Sequence, residues 1–175
     1  MTAESEIRKT TPGDIPALER LYRATFPDED LVVLVRELVS GAGDVLSLAA
    51  VADGAIAGHV AFTRCTIGES GTRAALLAPL AVAPDRQRQG LGRALVIAGF
   101  DRLSEESIPY VFVLGDPAYY SRLGFTREDA VMPPYALPPE WDGAWQSRIL
   151  GDEAVPLTGR LSVPPQWLQP ALWAP

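Results

Sequence analysis

The stretch Leu80-Ala81-Val82-Ala83-Pro84, followed two residues later by Gln87-Arg88-Gln89-Gly90-Leu91-Gly92-Arg93, constrains this chain more than any other. Its apolar run reads as a strand, Gly90 and Gly92 mark a turn, and the residues after the turn repeat with helical period. A strand that feeds a helix through such a turn gathers backbone N–H groups at the helix N-terminus, where the macrodipole also favours negative charge. Glycines let a bulky anion approach without Cβ obstruction, and Arg88 and Arg93 add positive charge. The chemistry implied is the gripping of a phosphate or pyrophosphate.

Spacing narrows the ligand. A dinucleotide fingerprint needs Gly or Ala at position 95, where Leu95 stands, and no Gly-Lys-Ser/Thr follows to make a Walker loop. What fits is Q/R-x-x-G-x-G/A, met by Gln87, Gly90 and Gly92 directly after the strand. A second segment is equally structured. Tyr110 to Leu114 reads as a strand, after which Asp116 suits an N-cap, Pro117 the first helical position and Gly124 a helix stop.

Together these two segments resemble the GNAT superfamily of N-acyltransferases. The first is similar to its acyl-CoA pyrophosphate loop, and Tyr120-x-x-x-Gly124-Phe125 is similar to its second hallmark, in which the tyrosine is the general acid. The resemblance covers roughly residues 7 to 161 of one domain spanning residues 1–175, and it implies an α/β (α+β) fold. That fold has a central mixed, mostly antiparallel twisted sheet of about seven strands, about four flanking helices, and a splayed parallel pair at strands 4 and 5. It also implies acetyl-CoA as acyl-donor cosubstrate, a small-molecule or peptide amine as acceptor, and direct transfer between them. Backbone groups from Arg88 to Gly92, with Gln87, Gln89, Leu91 and Arg93 in the same loop, are expected to hold the pyrophosphate. Leu80, Ala81 and Val82 are expected to line the pantetheine arm, with a strand N–H near Val82 polarising the thioester carbonyl. Tyr120 stands four residues before Gly124, so it, rather than Tyr119, is the expected acid.

The general base is less legible, because residues 74 to 83 contain no carboxylate. Asp116 and His59 are the candidates, beside a water relayed through backbone carbonyls; a helix cap suits Asp116 better and a buried structural group suits His59 better. This gap favours a competing reading, a non-catalytic acyl-CoA-binding sensor or regulatory module.

Charge and composition exclude other classes. The net charge of -7 argues against nucleic acid or an anionic membrane as main partner, since both select basic surfaces. Cys65 is the single cysteine and His59 the single histidine, so neither a disulfide framework nor a metal centre is expected. The N-terminus carries acid where a signal peptide carries Lys or Arg, and no apolar run approaches the roughly 20 residues that span a bilayer, so a cytoplasmic location is expected.

Elsewhere, Ile7 to Thr10 reads as a strand and Asp14 as the cap of a helix with Ile15, Leu18, Leu21, Tyr22 and Phe26 on one face. A second helix is expected from about Asp30 to Ser40. Val45 to Ala52 and Ala55 to Ile67 form a hairpin through Asp53-Gly54, and Ala75 to Val82 follows with Pro79 predicting a break in pairing. A helix from Gly92 to about Glu106 joins that strand to Tyr110–Leu114, which makes the two parallel. Ala144 to Leu150 and Leu157 to Val163 close the sheet. Trp141, Trp145, Trp167 and Trp173 crowd the last part of the chain, where packing is the first reading, with a substrate-pocket role or a homodimer contact as the sharper ones.

Overall fold

The computed structural model describes residues 4–41, 44–152 and 157–174; the first three residues and Pro175 lie outside these. The chain divides into two compact units, residues 1–62 with 78–101 and residues 63–77 with 102–175.

The first unit holds β1 (Glu6–Lys9), α1 (Ile15–Thr25), α2 (Val32–Ser40), β2 (Val45–Ala52), most of β3 (Ala55–Ile67), the end of β4 (Thr72–Val82) and most of α3 (Leu91–Glu105). Its strands run in the order β1-β2-β3-β4. The hairpin between β2 and β3 turns where expected, and the reason is visible in the backbone. Asp53 and Gly54 both lie in the left-handed region, with φ of 52° and 77°, as a two-residue turn matching strand twist requires. Helix α1 buries Leu18, Leu21 and Tyr22, which pack with Val35 and Ala81, while Phe26, Leu31 and Ile56 close over them. Helix α2 begins at Val32, two residues later than expected, and leaves Val33 exposed.

Asp14 corrects one expectation. Its side chain makes no cap bond to α1. Instead it accepts from the Thr11 N–H at 2.8 Å and caps the single 3-10 turn Pro12–Asp14, while Arg8 grips both its oxygens at 2.8 and 3.0 Å.

Gly99 on α3 lets the helix lie against β3. A Cβ built there would stand 2.1 Å from Phe62 Cε2, and Phe62 is fully buried. Gly99→Ala is therefore expected to cost about 1–3 kcal/mol, as overpacking of a filled core does. Urea unfolding checks this, and a midpoint equal to wild type would refute the contact.

The second unit holds the rest of β3, β4 and α3, then β5 (Tyr110–Leu114), α4 (Pro117–Tyr120), β6 (Thr126–Arg127), β7 (Val131–Met132), β8 (Trp145–Ile149) and β9 (Gly159–Ser162). Its order is β3-β4-β5-β8-β6, with β9 on β3 and β7 on β9. The pair β4–β5 is parallel as expected from the crossover, and its register covers only Ala74↔Tyr110 to Leu76↔Phe112. Pairing thus ends before Pro79, which has no N–H to give. Strand β5 is almost wholly buried, as a strand covered on both faces must be.

The sheet is mixed and mostly antiparallel, with four α-helices among the described residues. The strands number nine instead of about seven because β6 and β7 are two residues each, too short to show periodicity. The C-terminal segment, to which the sequence assigned no pattern, forms two 3-10 turns that place Trp167 and Trp173 in the core. Trp167 donates to Thr63 Oγ1 at 2.9 Å, Trp173 to the Trp167 carbonyl at 3.0 Å and Trp145 to the Val131 carbonyl at 2.8 Å. These three rings are packing residues. Among the described residues no helix is long and apolar enough to cross a membrane.

Candidate active site

The loop between β4 and α3 lies at the head of a long helix. Its residues Gln87 to Gly90 are all exposed. Arg88 has φ of 61° and Gly90 φ of 85°. Left-handed residues alternating with ordinary ones turn successive N–H groups to one side, the arrangement that forms anion-binding concavities. Helix α3, 15 residues long, begins at the next residue, Leu91, and its first turn has N–H groups without intrahelical partners. A Cβ at Gly90 would meet nothing within 4 Å, so the approach is open. A pyrophosphate fits these groups.

Three side-chain bonds hold the loop. Arg86 pairs with Asp53 of the hairpin turn at 2.5 Å, the Gln87 carboxamide donates to the Val82 carbonyl at 3.1 Å, and Gln89 donates to the Asp85 carbonyl at 3.3 Å. Gln87 thereby ties the turn back to the end of β4. The Val82 carbonyl also accepts from Thr25 Oγ1 at 3.4 Å. Leu80 and Val82 are half-buried at the strand end, while Ala81 is buried. Leu91 and Gly92 are buried in the first turn of α3, and Arg93 is exposed.

Tyr120 lies in the second unit at the end of α4. Asp116 starts that helix, its carboxylate accepting from the Ala118 N–H at 2.9 Å, and Gly124, with φ of 84°, ends the following turn. The Tyr120 ring lies over Gly115, where a Cβ would stand 2.4 Å from Cε2. Edge-on contacts with Tyr119 at 4.9 Å and Phe125 at 5.6 Å hold it. Its hydroxyl has no hydrogen-bond partner among the described residues. Burial, helped by the Tyr119 phenol, raises its pKa above the ordinary 10.0, so it stays a proton donor through the neutral range.

Gly115 and Gln146 are site residues that sequence reasoning missed. Gly115 donates through its N–H to the Ala144 carbonyl at 3.0 Å, and its own carbonyl accepts from the buried Gln146 side chain at 3.0 Å. These bonds fix the surface on which Tyr120 rests. No local signal marks Gln146, because β8 reaches β5 only through tertiary pairing.

Both side-chain candidates for the base are otherwise employed. Asp116 is the cap of α4. His59 is fully buried, with Nδ1 at 2.7 Å from the Tyr22 hydroxyl and Nε2 at 2.7 Å from Ser47 Oγ, which in turn accepts from Thr10. Burial pushes its pKa down to about 3 against the opposing pull of Asp14. It is a neutral, doubly bonded structural imidazole.

A mixed sheet in which β4 and β5 run parallel, a strand-turn-helix loop at the head of a long helix and a tyrosine after the next strand are the elements of an acyl-CoA N-acyltransferase fold. The model of the acetyltransferase (GNAT) domain matches residues 6–127, and the chain belongs to that family. It is 35% identical over 158 residues to the uncharacterized N-acetyltransferase YjhQ of Escherichia coli strain K12, covering 87% of each chain. The crystal structure of Escherichia coli YhbS in complex with CoA superposes with a TM-score of 0.85 at 31% identity, covering 97% of this chain and 94% of that one. A Brucella melitensis GNAT acetyltransferase in complex with acetyl-CoA gives 0.75 at 25% identity, covering 94% and 99%.

Proposed function

We propose that residues 1–175 form one acetyl-CoA-dependent N-acetyltransferase domain, which moves an acetyl group directly from the thioester to a primary amine. The observation that carries this reading is the loop Gln87–Gly90. Exposed and tethered at both ends, it takes the left-handed turns of an anion nest at the head of a long helix. The CoA and acetyl-CoA bound by related structures support the same ligand. Arg88 to Gly92 would hold the pyrophosphate through backbone N–H groups, with Arg88 and Arg93 adding charge. Leu80 to Val82 would line the pantetheine arm, and the Val82 N–H would polarise the carbonyl as an oxyanion-hole donor. Bound acetyl-CoA supplies an activated acyl carbon, and Tyr120 supplies the proton that the departing thiol needs.

Calorimetric titration with CoA tests the loop. Gly90→Val puts a β-branched residue where φ is 85°, a conformation costing on the order of 1–3 kcal/mol. CoA affinity is expected to fall about tenfold or more in a folded protein. Unchanged affinity would show that the pyrophosphate binds elsewhere.

The lack of a carboxylate between residues 74 and 83 favours the sensor reading over the enzyme. Thiol release from acetyl-CoA across a panel of amines separates the two, since a sensor binds CoA esters without turnover.

A further inference from the structure

Trp141 differs from its three fellow tryptophans. It is half-buried and its indole N–H bonds to no other described residue, whereas Trp145, Trp167 and Trp173 are buried with their N–H groups paired. It lines a cavity of about 580 Å³ inside the second unit, together with Tyr135, Met132 and Leu137. That volume lies within the roughly 300–1,000 Å³ of small-molecule sites. The Tyr135 hydroxyl likewise has no partner among the described residues.

The walls are preformed. Pro133, Pro134, Pro138 and Pro139 stiffen the loop, and Arg160 holds it by donating to the carbonyls of Pro133 and Pro134 at 3.3 and 3.0 Å. Arg127 staples the two rims, donating to Asp129 at 2.9 Å and to Asp142 at 2.7 Å. Those two carboxylates are 71% and 70% exposed and share a single guanidinium. Across the lining, three carboxylates face two guanidiniums, so the cavity is aromatic within and negative at the rim. Its Gly143–Trp145 edge also bonds, through the Ala144 carbonyl, to Gly115 beneath Tyr120.

We propose that this cavity binds the acceptor: a small primary amine carried on an aromatic or flat apolar body, with the body against Trp141 and Tyr135 and the ammonium at Asp129 and Asp142. The proposal deepens the transferase reading and rests on it for the role of acceptor. Flat apolar groups stack on aromatic faces, and a cation beside such a face gains further from the ring quadrupole. A polyamine would satisfy the carboxylates yet leave the aromatic interior unfilled. A carboxylate-bearing ligand would meet like charge at the rim.

Phenethylamine, phenylacetate and spermidine serve as probes, titrated calorimetrically into the full chain with and without CoA. Phenethylamine is expected to bind saturably and phenylacetate at least about tenfold more weakly, spermidine likewise. Trp141→Ala is expected to weaken phenethylamine about tenfold, the scale of a lost aromatic pair, and Trp141→Phe to restore most of it. Asp142→Asn is expected to weaken phenethylamine and leave phenylacetate no weaker. Equal binding of phenethylamine and phenylacetate, a preference for spermidine, or unchanged affinity in Trp141→Ala would each overturn the proposal, as would absence of saturable binding in the millimolar range. If CoA binds and phenethylamine does not, the cavity proposal alone fails. If phenethylamine binds and CoA does not, the transferase reading fails and the acceptor role with it, while the amine site stands.

Discussion

Replacing Tyr120 by phenylalanine is expected to lower turnover by about 10²–10⁴-fold, the usual loss when a general acid is removed, while CoA affinity stays at the wild-type value. The substitution deletes one hydroxyl and keeps the ring that rests on Gly115 and meets Tyr119 and Phe125 edge-on. Two tyrosines stand side by side, but residues adjacent on a helix point about 100° apart, so one of them faces the reacting atoms. Tyr119 is 39% exposed and Tyr120 is the more buried. Tyr119→Phe is therefore expected to be nearly silent. A phenol whose pKa lies above 10.0 is a weaker acid than a thiol of about 8.5, so its help is donation as charge develops on sulfur, not prior protonation. Gly115→Ala offers a second handle: its Cβ would stand 2.4 Å from Tyr120 Cε2, displacing the hydroxyl without deleting it, and turnover is expected to fall again. Steady-state rates with an amine that the panel identifies check all three. If Tyr120→Phe and Tyr119→Phe both turn over normally, the thiolate leaves unassisted; if Tyr119 proves critical, the acid is the neighbouring residue.

The fold of the first unit is expected to be acid-labile through two identified groups. His59 is held at about 3, from an ordinary 6.5, by its complete burial. Between those values the unfolded chain binds a proton that the native chain refuses, so stability falls as pH falls, by at most roughly 1.4 kcal/mol per pH unit. Asp14 acts lower down. The Arg8 guanidinium holds its pKa at about 2, from an ordinary 3.8, and that contribution is present above 3.8 and lost as pH falls through 2. Urea unfolding of wild type and His59→Gln between pH 7 and 4 isolates the histidine. The variant loses the Tyr22 and Ser47 bonds and starts less stable, and the gap is expected to narrow steadily below pH 6.5. Parallel curves would mean that His59 takes up its proton in the native state.

Local physics made much of this molecule legible. The bounds of β2, β3 and β5 follow from apolar runs and from Asp53-Gly54, whose left-handed turn belongs to those two residues alone. Helix α4 starts at Pro117 because the preceding Asp116 accepts from the Ala118 N–H two residues on, and the loop Gln87–Gly92 advertises its anion chemistry through glycine spacing and adjacent charge. Each of these is a matter of neighbours within a turn or two, so a linear string of residues contains it. The acid candidate Tyr120 and the family itself came from the same kind of short pattern.

Tertiary structure decided what depends on distant partners. Four tryptophans look alike in the sequence, yet Trp167 is a core residue whose indole donates to Thr63, 104 positions away, and Trp141 lines a cavity where no described residue takes its indole N–H. His59 ceased to be a candidate base once Tyr22 and Ser47 occupied both ring nitrogens. Gln146 and Gly115 entered the site through β5–β8 pairing, and β7 exists only because Val131 finds Gly159 beside it. Periodicity and turn chemistry are properties of adjacent residues, and these the sequence by itself determined; burial, proton affinity and the filling of a cavity are set by whichever atoms the fold brings near, and those no short stretch of this chain contains.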